Sequence, residues 1–113
     1  MKKIKAYVKS HRLSEVTLAL NKVEGLPGMS VTEVKGFGRR GDSKDHQHPD
    51  DDPVDFMSIS KIEIFCHNEL VDTLVETIEK SAHTGLSGDG KIYVLPVEQA
   101  VRISTGERGE KAV

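Results

Sequence analysis

An internal repeat constrains the fold most, because each half of the chain carries a strand-like, a helix-like and a second strand-like pattern. In the first half, apolar and polar residues alternate over residues 4–8, which is typical of a strand with one buried side. An apolar stripe at helical spacing follows, with Ser14 as the expected N-cap and Gly25 as the expected end. A second strand is predicted from Met29 to Phe37.

The second half of the chain repeats this order. A strand is predicted from Ile59 to Cys66, and the next helix has the clearest apolar stripe in the sequence. Asn68 is its expected N-cap, and the helix is expected to fade at Ser81–Ala82 and to be stopped by Gly85. A further strand is predicted from Lys91 to Val97. The chain therefore reads as two consecutive β-α-β units.

Two such units predict an α+β fold of the ferredoxin-like kind, with an antiparallel sheet and two helices on one face. The other face needs cover, and a chain of 113 residues has no spare element to provide it. This favours an oligomer that buries the open faces together. A short fifth strand is expected at Val101–Ile103, and the polar stretch Thr105–Glu110 is expected to be a mobile tail.

Composition narrows the class of protein. The length predicts a single domain over residues 1–113, and a net charge of −2 gives no reason to expect nucleic acid as a partner. The sequence contains no apolar run long enough for a membrane span or a signal peptide. Cys66, as a lone cysteine, excludes an internal disulfide framework. We therefore expect a cytoplasmic protein.

A long polar segment, residues 39–58, separates the two halves and shows no periodicity. About 20 such residues inside a compact domain usually form a functional or mobile loop. His46 and His48, with five neighbouring aspartates, have the ligand types that suit Zn²⁺ or another transition metal. The same composition also fits a solvated loop, or a loop that recognises a basic patch on a partner protein.

Three further segments have features that suit phosphate binding. Residues 84–91 contain three glycines, which let backbone N–H groups turn toward an anion, and end on the positive Lys91. Residues 36–40 combine two glycines with two arginines. Arg102 lies near the C-terminus. Taken singly, each segment also fits an ordinary turn, a strand end or a solvated surface residue.

Together, residues 34–39, 84–92 and 102–110 resemble, in order and separation, the three signature stretches of PII signal transduction proteins (nitrogen regulatory protein P-II). The resemblance covers essentially the whole chain. It implies a homotrimer that binds ATP or ADP in clefts between subunits, has no enzymatic activity, and controls a partner through a mobile loop. In this family residues 39–58 correspond to the T-loop, 84–91 to the B-loop and 102–113 to the C-terminal loop.

The resemblance also implies the residues of the nucleotide site. Those implied to contact phosphates are Gly36, Phe37, Gly38, Arg39, Gly88, Asp89, Gly90, Lys91 and Arg102. Those implied to surround adenine and ribose are Gly28, Met29, Ser30, Glu63, Ile64 and Thr84.

The chain departs from the family pattern at four positions. Arg40 stands where the family has a glutamine that helps hold Mg²⁺ and 2-oxoglutarate, and Ile59 stands where a lysine pairs with 2-oxoglutarate. These changes predict lost or altered 2-oxoglutarate sensing and leave the role of Mg²⁺ open. Asp52 replaces the tyrosine that is uridylylated in many bacteria, so that modification is not expected. Ser104 replaces a second phosphate-contacting arginine.

The resemblance also implies that the regulated partner is a transporter or an enzyme, with membrane association only through a transporter. The alternative is a trimeric protein of the divalent-cation tolerance type, which would bind metal through the His/Asp-rich loop. The glycine-rich segments argue against it, because metal binding needs neither of them. No general base or nucleophile emerges that would support an enzyme.

Overall fold

The computed structural model describes residues 1–38 and 56–113, which form six main elements. In chain order these are β1 (Lys2–Lys9), α1 (Leu13–Asn21), β2 (Ser30–Gly36), β3 (Met57–Cys66), α2 (Val71–Ala82) and β4 (Gly90–Pro96). Short 3-10 turns precede α1 and α2, and another covers Gly109–Ala112. No helix within these two ranges is long and apolar enough to cross a membrane.

The four strands form one antiparallel sheet in the order β2-β3-β1-β4. Strands β1 and β3 are central, and their register pairs Ile4 with Ile64 and Ala6 with Ile62. Both helices pack on the face that carries these residues. This order and this one-sided helix layer confirm the predicted ferredoxin-like fold.

The core is the layer between the sheet and the helices. Alternate residues of β1 and β3 are fully buried there, as the sequence pattern predicted. The helices contribute the other members of this cluster, which are Val16, Leu20, Leu74, Ile78 and Ala82. Full burial of one such large aliphatic side chain contributes about 1.5–3 kcal/mol of hydrophobic stabilisation. This single layer therefore supplies most of the hydrophobic stabilisation of the fold.

Both predicted helix caps are wrong. Helix α1 begins at Leu13 with Arg12 as N-cap, so Ser14 lies inside its first turn. Helix α2 begins at Val71, and Asn68 instead starts the preceding 3-10 turn. The chain enters each helix through that tighter turn, whose backbone bonds replace a side-chain cap. The Asn68 side chain accepts a hydrogen bond from the N-terminal ammonium at 2.9 Å.

The end of α2 agrees with the sequence pattern, whereas the end of α1 and the start of β3 do not. Helix α1 ends at Asn21, before the expected Gly25. Helix α2 ends at Ala82, where it was predicted to fade, because His83 is extended. Gly25 and Gly85 both have positive φ, but they lie in the connections that follow. Strand β3 starts inside the predicted loop, since Met57 and Ser58 already pair with β2.

The C-terminal segment differs most from its prediction. The expected fifth strand is only an isolated bridge between Val101 and Arg108. The expected mobile tail is wrong, because the segment folds back into a 3-10 turn. There Glu110 lies 3.3 Å from the N-terminal ammonium and 2.6 Å from His67 Nδ1. These contacts join residues distant in sequence, so no local pattern indicates them.

The start of β4 lies so close to β1 that only glycine fits. Gly90 has φ +111°, and a Cβ there would lie 1.7 Å from the carbonyl oxygen of Tyr7. That oxygen belongs to the backbone of a central strand and cannot move without disturbing the sheet.

We expect Gly90→Ala to lower the free energy of unfolding by about 2–4 kcal/mol, because it combines backbone strain with a steric clash. Urea unfolding followed by circular dichroism would measure this. Gly85→Ala is the matched control, since Gly85 has φ +85° but a Cβ added there would meet nothing within 4 Å. It should cost about 1 kcal/mol, and an equal cost at both positions would contradict the clash.

Candidate functional site

The implied nucleotide-binding residues fall into two groups on this fold. One group lies where β2 ends and β4 begins, and consists of Gly36, Phe37, Gly38, Thr84, Gly88, Asp89, Gly90 and Lys91. The other extends from the middle of the sheet to its opposite end, and consists of Gly28, Met29, Ser30, Glu63, Ile64 and Arg102. Arg39, His46 and His48 lie outside the described residues.

The implied contacts are spread more widely over the sheet than one ligand can reach in one copy of the chain. Gly90 and Pro96 mark the two ends of β4, and Arg102 follows Pro96. Six strand residues span about 20 Å. Across the sheet, Gly36 on β2 and Gly90 on β4 occupy opposite edges, three strand spacings or about 14 Å apart. One copy therefore does not gather all the implied contacts around one ligand.

The loop over residues 84–91 is organised around the Asp89 carboxylate. The Thr84 hydroxyl donates to Asp89 Oδ1, and the Thr84 N–H donates to Oδ2 at 2.9 Å. The Lys9 ammonium, from the end of β1, lies 3.2 Å from Oδ1. The Thr84 hydroxyl also accepts from the N–H of Leu86 at 3.1 Å. One acidic side chain thus ties both ends of the loop to the sheet.

These bonds hold the pKa of Asp89 well below its usual range. The side-chain hydrogen bond from Thr84 is the largest cause, followed by the Thr84 N–H and then by Lys9. Burial of the carboxyl raises the pKa; its influence is weaker than that of either Thr84 hydrogen bond but stronger than that of Lys9. Asp89 is therefore ionised at neutral pH, and its oxygens are already occupied by protein donors.

The backbone of this loop is exposed and turned by glycine. Gly85, Gly88 and Gly90 all have positive φ, a conformation that other residues adopt only with strain. Lys91 is exposed at the start of β4. Beside it an open cleft of about 360 Å³ runs between α2 and the edge strand β4, bordered by His83 and Glu79. The segment thus combines an exposed backbone turn with a cation.

In the second group, Ser30 and Glu63 are direct neighbours in the register of β2 and β3. The Glu63 carboxylate is paired with Lys3 and lies 3.8 Å from Lys61. Its pKa is lowered, chiefly by the hydrogen bond from Lys3. The Ile64 side chain points into the helix-covered core and is 0% exposed, so only its main chain can reach a ligand.

Two aromatic rings mark the borders of the segment that lies outside the described residues. Phe37 and Phe56 pack edge to face, with centroids 5.4 Å apart. Sequence reasoning missed Phe56, although its position just before the predicted strand was the available signal. It also missed Lys9, which no local pattern connects to a carboxylate 80 positions later.

The possible metal site is not tested by this geometry, since His46 and His48 are among the residues left undescribed. Within residues 1–38 and 56–113, no group of three or more His, Cys, Asp or Glu side chains is arranged to hold a metal ion.

Acid unfolding tests the anchoring role of Asp89. Its folded-state pKa lies below the unfolded value of about 3.9, so ionised Asp89 stabilises the fold above that value. The contribution is lost as the pH falls through the folded pKa. We expect Asp89→Ala to lower the melting temperature at neutral pH, and the difference from the parent to narrow below about pH 4.

Glu79→Gln, at an exposed carboxylate on α2, is the control and should melt like the parent at every pH. A difference between Asp89→Ala and the parent that stays constant with pH would contradict an ionised anchor.

Comparison with known proteins places the chain in a family. The model of the family "Nitrogen regulatory protein P-II" matches residues 1–107. The chain is similar to nitrogen regulatory protein P-II of Azospirillum brasilense, with 47% identity over 113 residues and full coverage of both chains. It is also similar to nitrogen regulatory protein P-II 1 of Escherichia coli (strain K12), with 46% identity and full coverage of both.

A solved structure agrees with this assignment. Arabidopsis thaliana PII bound to citrate superimposes with a TM-score of 0.78 and 38% sequence identity, covering 99% of this chain and 91% of that one. The chain therefore belongs to the nitrogen regulatory protein P-II family, whose members are regulatory signal transducers and not enzymes.

Proposed function

We propose that this chain is a divergent PII regulator that binds ATP or ADP in clefts between the subunits of a homotrimer. It then controls a partner protein through residues 39–58. One observation supports the proposal: the implied nucleotide contacts are spread over both ends and both edges of the sheet, which favours a site that a second copy completes.

The two groups differ in chemistry in the way a nucleotide requires. The group at the start of β4 offers glycine backbone and Lys91, which suit phosphates. Most of the other group, Gly28–Ser30 with Glu63, offers backbone and a carboxylate acceptor beside the edge strand β2, which suits a purine and its ribose. Arg102 adds a second cation from this side. A contact that sets one end of a copy against the other end of its neighbour is head-to-tail, and such contacts form a ring when the rotation between copies closes.

The uncovered face of the sheet carries exposed side chains that suit contacts between subunits. Tyr93 is 48% exposed there, and Leu95, on the same strand, is 40% exposed. Tyr7 packs edge to face on Tyr93, at a centroid distance of 6.3 Å. Exposed aromatic and aliphatic side chains on one side of a small sheet are typical of a protein–protein interface.

Ile59, which directly follows residues 39–58, supports the proposal that effector sensing is altered. Ile59 lies on β3 opposite Val34, and its Cδ1 would be 3.3 Å from a Cβ on Gly36. An aliphatic side chain at this place cannot pair with a keto-acid carboxylate. Residues 39–58 also contain no tyrosine, so tyrosine uridylylation there is ruled out by the sequence. The proposed regulator is cytoplasmic, and its partner is a transporter or an enzyme.

Isothermal titration calorimetry tests nucleotide binding. The parent should bind ATP and ADP, and Lys91→Gln should weaken ATP binding about tenfold, because a charge-assisted contact with phosphate is lost. Lys80→Gln, at an exposed lysine on α2, is the matched control and should bind like the parent. Adding 2-oxoglutarate with Mg²⁺ should leave the ATP affinity unchanged.

Two outcomes would count against this proposal. A parent that binds no adenine nucleotide would overturn the function itself. Enhancement of ATP binding by 2-oxoglutarate would show that Arg40 and Ile59 do not disable that sensor.

Light scattering coupled to gel filtration tests the assembly. The parent should have three times the mass of one chain, and Tyr93→Glu should shift it toward the monomer, because it buries a charge in the interface. Leu18→Glu is the control, since Leu18 is 63% exposed on the outer side of α1. It should remain trimeric, and loss of the trimer in both variants would argue against the open sheet face as the interface.

A further inference from the structure

The proposed phosphate loop contains a negative charge of its own. Asp89 lies between Gly88 and Gly90, two residues before Lys91. An uncompensated carboxylate at this position would repel a phosphate group, since like charges a few ångströms apart near a protein surface repel each other strongly. A loop that binds anions must therefore neutralise Asp89 by some means.

The structure shows which groups face this carboxylate. Thr84 supplies two hydrogen bonds but no charge. His83 Nδ1 lies 3.4 Å from Oδ2, on a side chain that is 70% exposed and hence strongly screened by water. The Lys9 ammonium lies 3.2 Å from Oδ1, and the Lys9 and Asp89 side chains are only 16% and 21% exposed. Lys9 is therefore the well-shielded, permanently charged partner.

Lys9 is also held in place by the sheet and not by the loop. It is the last residue of β1, which pairs with β3 on one side and β4 on the other, and it lies opposite Ile59. Its ammonium additionally donates to the Thr84 hydroxyl at 3.4 Å. Because it makes these contacts, the Lys9 ammonium faces the interior of the loop. It therefore acts on a ligand indirectly, through Asp89 and Thr84.

We propose that Lys9 is a positioning residue of the nucleotide site, which neutralises Asp89 so that the loop over residues 84–91 can accept phosphate. This inference rests on the nucleotide binding proposed above. It predicts that the effect of removing the cation depends on the carboxylate: loss of Lys9 should weaken anion binding strongly when Asp89 is charged and little when it is not.

The test is a double-mutant cycle measured by calorimetry with ATP and with inorganic tripolyphosphate as probes. Lys9→Met should weaken binding of both about tenfold, because Asp89 is left uncompensated. Asp89→Asn keeps an oxygen for the Thr84 donors but removes the charge that Lys9 neutralises. In the Asp89→Asn background, adding Lys9→Met should change the affinity for both probes by less than about threefold.

Two controls separate electrostatics from folding. Lys9→Arg keeps the charge and should bind like the parent, whereas Lys80→Met changes an exposed lysine elsewhere and should have no effect. The loss in Lys9→Met should also shrink as salt is raised, since added ions screen the uncompensated charge. If Lys9→Met folds poorly by circular dichroism, Lys9→Gln replaces it in the cycle.

The outcomes distinguish this inference from the proposed function. A parent that binds tripolyphosphate but no nucleotide would refute the proposed function. The double-mutant cycle for Lys9 and Asp89 could then still be measured with tripolyphosphate. Parent-like binding by Lys9→Met would overturn the role of Lys9. An equal loss from Lys9→Met in the parent and in the Asp89→Asn background would also overturn it, because a purely structural contact predicts that result.

Discussion

The antiparallel pairing of β1 with β3 is the constraint on which the rest of this structure depends. Their register places Ile4 opposite Ile64 and Ala6 opposite Ile62, so the fully buried apolar side chains of both strands lie on one side. The two helices cover that side and form the only core cluster within the described residues. The same alternation leaves the other side of the sheet with lysines and aromatic rings. A strand pattern with a period of two therefore decides both how the chain folds and which face of the sheet stays open.

The proposed phosphate loop depends on this sheet for its shape. Gly90 joins the loop to β4 at a point where the Tyr7 carbonyl leaves no space for a side chain. Lys9 reaches Asp89 from the end of the same central strand. The loop's exposed glycine backbone is thus fixed at its β4 end by steric fit and the Asp89–Lys9 ion pair, and at its Thr84 end by hydrogen bonds to the same two side chains. Such preorganisation lowers the ordering cost that ligand binding would otherwise incur.

Much of this could be predicted from the sequence, for reasons that can be stated residue by residue. Alternation in β1 and β3 and the stripe of α2 correctly predicted the core and the ferredoxin-like topology, because both patterns reflect burial directly. The caps at Ser14 and Asn68 were wrong, because propensity at a helix start gave way to an entering 3-10 turn. The prediction of a mobile tail was wrong, because the Glu110 side chain is held by the N-terminus and by His67, more than 40 positions away.

The sequence by itself determined the fold class, the family and the positions of the glycine-rich segments, since each of these follows from local periodicity or from short motifs. Only the tertiary structure decided that the implied site residues form two separated groups, that Ile64 offers no side chain to a ligand, and that Asp89 is tied by Lys9. These depend on strand register and on contacts between residues up to 80 positions apart. Local chemistry specifies which elements form, whereas the distances between their side chains exist only once the sheet has assembled.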